Sequence, residues 1–279
     1  MLVFWIVAVS ILATILALNF IPGEKKVETR ISELYAVQDP QFLRTMNHLL
    51  GPPLVAGNQV QELINGDEIF PPMLAAIRAA QKTITFETFI YWSGDIGREF
   101  AEALAERAQA GVKVHVLVDW VGALKMDDKL LDQMEDAGVE IHKYHPLHWY
   151  HLARMNNRTH RKLLVVDGMV GFTGGVGIAD EWQGDAQDAD HWRDSHFRIE
   201  GPAVAHMQAA FLDNWMKTSG EVLHGDDYFP ALKPVGEHYA QMFKSSSDEG
   251  SESARLMYLL SIASARKTIY IANAYFVPD

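Results

Sequence analysis

Thr159-His160-Arg161-Lys162-Leu163-Leu164-Val165-Val166-Asp167-Gly168-Met169-Val170-Gly171-Phe172-Thr173-Gly174-Gly175 is the stretch on which the reading of this chain turns. Residues 162–166 form an apolar, β-branched run, and residues 170–173 form a second. Asp167-Gly168 between them makes the two a strand pair joined at a tight turn. On extended backbone, residues i and i+2 face the same way, so His160 and Lys162 address one ligand from the entrance of the first strand. Asp167 stands at the far end of that strand. Gly171, Gly174, Gly175 and Gly177 follow, letting backbone approach a ligand closely and present N–H groups to an anion.

These residue types fit attack on a phosphodiester. Such chemistry needs a nucleophile and positive charge on the nonbridging oxygens. Histidine supplies the nucleophile at neutral pH, and lysine supplies a point charge. A second acid must protonate the leaving oxygen, because an alkoxide leaves poorly. One copy of the motif does not provide it. Arg154, Arg158, Arg161 and Lys162 lie close together without an acid among them and suggest an anion-binding mouth. His142, His145, His148 and His151 recur every third residue, but Pro146 interrupts them and no Asp or Glu lies between; a loop lining the mouth fits better than a metal site. The glycines after the strand are wrongly spaced for a dinucleotide loop.

Outward from this stretch, strands and helices alternate. Helices are predicted over 67–81, 97–109, 127–137 and 203–218, and strands over 83–91, 112–118, 139–144 and 195–200. The expectation is an α/β sheet covered by helices on both faces. Glu87 falls mid-strand among apolar residues, either as a satisfied buried acid or as a wall of the site. Asp119 ends its strand, where α/β sheets place functional residues, though a helix cap explains it equally well. Arg193 is either a second phosphate ligand or half of a structural ion pair.

Residues 1–18 carry no charge, enough to approach the length of a hydrocarbon core at ~1.5 Å per residue. The chain start lacks the basic residues of a cleavable leader. Lys25, Lys26 and Arg30 place the remainder on the cytoplasmic side of a membrane. The divisions expected are an anchor at 1–21, a connector at 22–59, a first globular half at 60–243, and a linker with the start of a second half at 244–279. The second half is read from a repeat: Ile77-Arg-Ala-Ala-Gln-Lys-Thr-Ile84 matches Ile262-Ala-Ser-Ala-Arg-Lys-Thr-Ile269, each running from a helix into an apolar strand. No second histidine–lysine motif follows within 279 residues, so the chain reads as the N-terminal portion of something longer, or as one of a pair sharing a site.

Composition narrows the partners. With 48% hydrophobic and 22% charged residues the chain is globular. It has no Cys, which excludes thiolate zinc sites and a cysteine nucleophile. A net charge of −12 disfavours general nucleic-acid binding.

His160-x-Lys162-x4-Asp167-x6-Gly174-Gly175 resembles the HKD signature of the phospholipase D superfamily, and most of all its bacterial cardiolipin synthase branch. The flanks resemble it too: residues 86–91 (FETFIY), 111–114 (GVKV), 172–175 (FTGG), 192–202 (WRDSHFRIEGP) and 269–279. The likeness runs from about Val60 to the end. It implies a phospholipase D-like mixed β-sheet. It also implies a phosphohistidine formed by His160, phosphate oxygens held by Lys162, and Asp167 positioning and polarising the site. Gly174, Gly175, Glu87 and Arg193 become candidate substrate-binding residues. A second HKD half, from the full-length chain or a dimer partner, supplies the acid. Membrane phospholipids such as phosphatidylglycerol are the implied substrates, with no cofactor and no metal. Transfer to an alcohol is preferred to hydrolysis; a phosphodiesterase and a noncatalytic HKD-fold membrane protein are the alternatives. One departure stands out: the family often has Asn where this chain has Gly177.

Overall fold

The computed structural model describes residues 1–19, 35–144, 158–245, 251–273 and 275. An eight-stranded sheet organises the chain. In sequence, its strands are β1 (Val55–Ile64), β2 (Thr83–Thr88), β3 (Lys113–Asp119), β4 (Glu140–Tyr144), β5 (Leu163–Val166), β6 (Val170–Gly174), β7 (Ser195–Glu200) and β8 (His238–Ala240). In space they run β4-β3-β2-β5-β6-β7-β1-β8. β2, β3 and β4 are parallel, and every other neighbouring pair is antiparallel. The two modes follow from the connections. Helices α4 (Asp95–Gln109) and α5 (Asp128–Asp136) carry the chain back for parallel pairing, whereas a tight turn at Asp167-Gly168 reverses it between β5 and β6.

Both faces are covered, as the alternation of elements predicts. On one, α3 (Asn65–Ala79), α4 and α5 pack Ile69, Met73, Ile77, Phe100 and Leu104 against Ile84, Phe86, Val116 and Leu164. On the other, α6 (Ala203–Ser219) sets Phe211 and Trp215 against Leu117, Leu163 and Val165. β5 is buried along its whole length because consecutive residues feed the two cores in turn.

Two expectations need correction, and a third is not confirmed. The connector drawn to residue 59, read as holding short helical pieces, does hold the helix α2 (Pro40–Leu49), but it also contains the first five residues of β1. β1 pairs with β7 from Gln59 to Ile64 and with β8 at Val55 and Asn58, across an irregularity where Gly57 has φ 87°. A glycine in that conformation breaks the two-residue alternation by which a strand is recognised. Next, α7 (Ser251–Ser264) supplies the helix of the repeat, but residues 268–273 form no strand. Ile269, Tyr270 and Ile271 are 50%, 92% and 57% exposed; an isolated strand leaves its backbone groups without a ladder partner. Finally, α1 (Leu2–Asn19) forms where the apolar N-terminus predicts a helix, but among the described residues no helix is long and apolar enough to cross a membrane.

Candidate active site

The carboxyl ends of β2 and β3, the entrance to β5 and the end of β6 meet at one edge of the sheet. Here the structure brings His160 and Lys162 together. The Lys162 ammonium donates to the His160 ring, 3.0 Å from Nδ1 and 3.2 Å from Nε2, and to the His160 carbonyl at 3.1 Å. Phe89, just past β2, backs the imidazole with ring centroids 4.8 Å apart. His160 is exposed, whereas Lys162 is 8% exposed. The shared face follows from their two-residue spacing.

Electrostatics favour a neutral imidazole. Partial desolvation pushes the His160 pKa below its ordinary value, the Lys162 charge pushes the same way, and Asp119 opposes. Burial pushes Lys162 down to about 8, against the pull of Asp194. The pair is therefore a ring with an available lone pair beside a cation, the two elements that attack at phosphorus requires.

Thr159, immediately before His160, is clamped from two sides. Its N–H donates to Asp119 Oδ2 at 3.1 Å, while Asp119 Oδ1 accepts from Val121 and Gly122 N–H at 3.0 and 3.3 Å. Asp119 thus caps the turn after β3, where no helix begins, and also holds the residue before His160. The Thr159 hydroxyl donates to Glu87 Oε1, which also accepts from Asn214 Nδ2 of α6 at 2.7 Å. Glu87 is fully buried and its Oε2 has no partner among the described residues. Burial lifts its pKa to about 7 despite the hydrogen bonds from Thr159 and Asn214. Glu87 faces α6, on the side of the sheet opposite His160, so it positions Thr159 and does not line a substrate surface.

Asp167 lies elsewhere. Its carboxylate accepts from the N–H groups of Gln81, Lys82 and Thr83 at 2.9, 2.7 and 2.9 Å. Those bonds lock the start of β2 to the end of β5, some five residues and ~16 Å of strand from Lys162. Its oxygens are spent on the backbone at the start of β2 and not turned toward His160 and Lys162. Arg161 is also redirected. Between His160 and Lys162 it must face the opposite way, and it donates to Ala210 O at 2.7 Å and Asp213 Oδ2 at 3.2 Å on α6. Arg158 rests over the Trp120 ring at 5.1 Å. His142 sits in β4, hydrogen-bonded to Glu140 at 3.0 Å and edge-on to Trp215. His145, His148, His151 and Arg154, expected at the mouth, lie outside the described residues.

Gly174 and Gly175 matter for space. A Cβ on Gly174 would lie 2.5 Å from the Ser195 carbonyl and from His196 Nδ1, and one on Gly175 would collide with the Asp194 carboxylate. The Gly175 N–H donates to Ser195 O at 3.3 Å, so it is not offered to an anion. Arg193 is exposed and donates to the Ser195 hydroxyl at 2.9 Å. The residue that sequence reasoning passed over is its neighbour. Asp194 accepts from Trp182 Nε1 at 2.9 Å and Ser195 N–H at 2.8 Å, and its charge acts on Lys162. The Trp-Arg-Asp triplet was a signal, but nothing in it distinguishes arginine from aspartate. At Gly177 a Cβ would stand 2.9 Å from Ile90 Cβ and 3.0 Å from the Trp182 ring, so no asparagine fits there.

Residues 73–215 match the family model described as the phospholipase D-like domain of cardiolipin synthase. Cardiolipin synthase A of Pseudomonas fluorescens is 33% identical over 264 residues, 94% of this chain and 54% of its own length. Cardiolipin synthase 2 of Bacillus anthracis is 34% identical over 260 residues, 92% of this chain and 50% of its own length. The chain spans about half the length of the curated relatives it matches. The solved phosphatidylserine synthase of Haemophilus influenzae is 18% identical and covers 62% of this chain and 40% of its own, with a TM-score of 0.49. On the family match and the sequence that carries it, this chain belongs to the phospholipase D-like family of cardiolipin synthase domains.

Proposed function

We propose that this chain carries the nucleophilic half of a phosphatidyl-transfer site acting on membrane phospholipids. The observation that carries the reading is the His160–Lys162 pair: an exposed imidazole pushed toward its neutral form, 3.0 Å from an ammonium that burial holds in place. In this reading a ring nitrogen of His160 attacks phosphorus, and the phosphorus–oxygen bond to the leaving glycerol breaks. An acid protonates that oxygen, leaving a phosphohistidine. An acceptor hydroxyl then attacks phosphorus, the phosphorus–nitrogen bond breaks, and the proton passes to the same acid, now a base. Lys162 neutralises the nonbridging oxygens. Asp119, Glu87 and Asn214 fix Thr159 and so the nucleophile. Arg193 and Asp194 stand at the same mouth, Asp194 holding the Lys162 charge. The acid comes from a second such half, in a longer chain or a partner.

Lipid is preferred over nucleic acid because of the −12 charge and the uncharged helix α1, whose Val3, Phe4 and Trp5 are 73%, 71% and 62% exposed. In this reading α1 holds the chain at the membrane, with the basic residues after it on the cytoplasmic side. The test uses vesicles of phosphatidylglycerol and the chain together with its second half. Diphosphatidyl product that disappears in His160→Ala is expected. Product persisting in that variant sinks the assignment, and phosphatidic acid alone, in the presence of acceptor alcohol, turns it into a hydrolase.

A further inference from the structure

His196 is a buried histidine that the scheme above does not use. It is 1% exposed, and neither ring nitrogen has a hydrogen-bond partner among the described residues. An imidazole has one donor and one acceptor nitrogen when neutral, and burying both unpaired is costly. Such a group in a folded interior asks for an explanation.

Register supplies one. Leu163 pairs with Thr173 across β5 and β6, which sets Lys162 opposite Gly174, and Gly174 pairs with His196 across β6 and β7. Residues directly opposite in antiparallel strands share a face. Lys162, Gly174 and His196 therefore form one row, and the middle member has no side chain. His196 Nδ1 lies 2.5 Å from where a Cβ on Gly174 would be, so the ring occupies the gap. The Lys162 charge reaches that ring: with burial, it pushes His196 down to about 3. His196 is a neutral ring at any working pH, able to accept from a cation without repelling it.

The resting pair has a built-in obstacle. The Lys162 ammonium lies 3.0 and 3.2 Å from the two His160 ring nitrogens, too near both to follow either in-plane lone pair, so it crowds the ring that a phosphate has to reach. The lysine must turn away as phosphate arrives. We infer that His196 is a positioning residue that accepts the Lys162 ammonium across Gly174 when an incoming phosphate draws it off His160. One lysine N–H then meets the phosphate, one meets the His196 ring, and the His160 ring is left clear. The inference rests on reading His160 and Lys162 as a phosphoryl-binding pair.

The experiment uses the whole chain, labelled with ¹⁵N-histidine, and orthovanadate as the phosphoryl probe. In the wild type, vanadate shifts a His196 ring nitrogen, and the shift is abolished in Lys162→Met. His196→Phe keeps the ring volume without an acceptor and binds vanadate about tenfold to hundredfold more weakly, the scale of one charge-assisted hydrogen bond. His196→Gln restores most of the affinity. A purely structural His196 would lower the melting temperature in both variants without separating them in vanadate affinity. His196 resonances indifferent to vanadate overturn the inference, as does a wild type that binds no vanadate or a folded Phe variant that binds as tightly as wild type. If the Phe variant does not fold, the wild-type spectra decide alone. Failure of lipid transfer with these shifts intact refutes the lipid assignment and leaves the role of His196 standing.

Discussion

Replacing Glu87 by Gln tests the buried clamp on Thr159, beside His160, most directly. Burial lifts the Glu87 pKa from 4.5 to about 7, against hydrogen bonds from Thr159 and Asn214 that lower it. An acid whose pKa is raised on folding binds its proton more tightly in the folded state. Its contribution is therefore intact below about pH 4.5 and is lost as pH rises through about 7. Over that interval each pKa unit corresponds to about 1.4 kcal/mol, so ionising Glu87 removes roughly 3 kcal/mol of stability. Gln keeps an oxygen for Thr159 and Asn214 and does not ionise. Its –NH₂ falls where Oε2 has no partner, a cost on the order of 1–3 kcal/mol that does not vary with pH. The assay is reversible urea unfolding of both proteins at half-unit steps from pH 4.5 to 8. The wild type starts more stable than the variant, and its advantage shrinks or reverses by about 3 kcal/mol across the series. A stability difference that stays flat with pH, or one that grows in favour of the wild type, refutes the reasoning.

Three further outcomes follow from other positions. Asp167→Ala removes the acceptor of three successive N–H groups and places alanine at φ 52°, so it lowers stability by about 2–4 kcal/mol in chemical denaturation. It leaves the NMR titration of His160 unchanged, because Asp167 is remote from the ring. Lys162→Met removes the like charge beside His160 and raises its titration midpoint toward the ordinary value, read from the ring resonances; a fall in the midpoint would contradict the electrostatic assignment. Gly177→Asn, which restores the residue common in the family, costs about 1–3 kcal/mol of stability because Ile90 and Trp182 already fill the space. Its displacement of Trp182 also weakens the hold on Asp194, read as a change in the titration of Lys162.

What was legible in the sequence was whatever depends on neighbours along the chain. The strand after His160, its turn at Asp167-Gly168, and the common face of His160 and Lys162 all follow from two-residue periodicity. The helices on either side follow from their own apolar stripes. What was hidden depends on which strands become neighbours. The row from Lys162 to His196 exists only because β6 lies between β5 and β7, an order no local pattern encodes. Asp167 could be placed at the far end of its strand, but not at the backbone of residues 81–83, since that contact spans more than 80 residues. Alternation already placed Arg161 opposite its two neighbours; its count among the basic residues of the mouth set that geometry aside. β1 escaped because Gly57 and Asn58 read as a turn. The Asn58 side chain instead donates to Val55 O and His238 O and accepts from Ala203 N–H, a buried hub only tertiary structure supplies.

The clamp on Thr159 also sets how far a change elsewhere in the sheet is felt at His160. Thr159 takes its position from β2, β3 and α6 at once, through Glu87, Asp119 and Asn214. A substitution that slides one of those elements is resisted by the other two. The geometry at His160 is thus shared by three elements that stand far apart in the sequence.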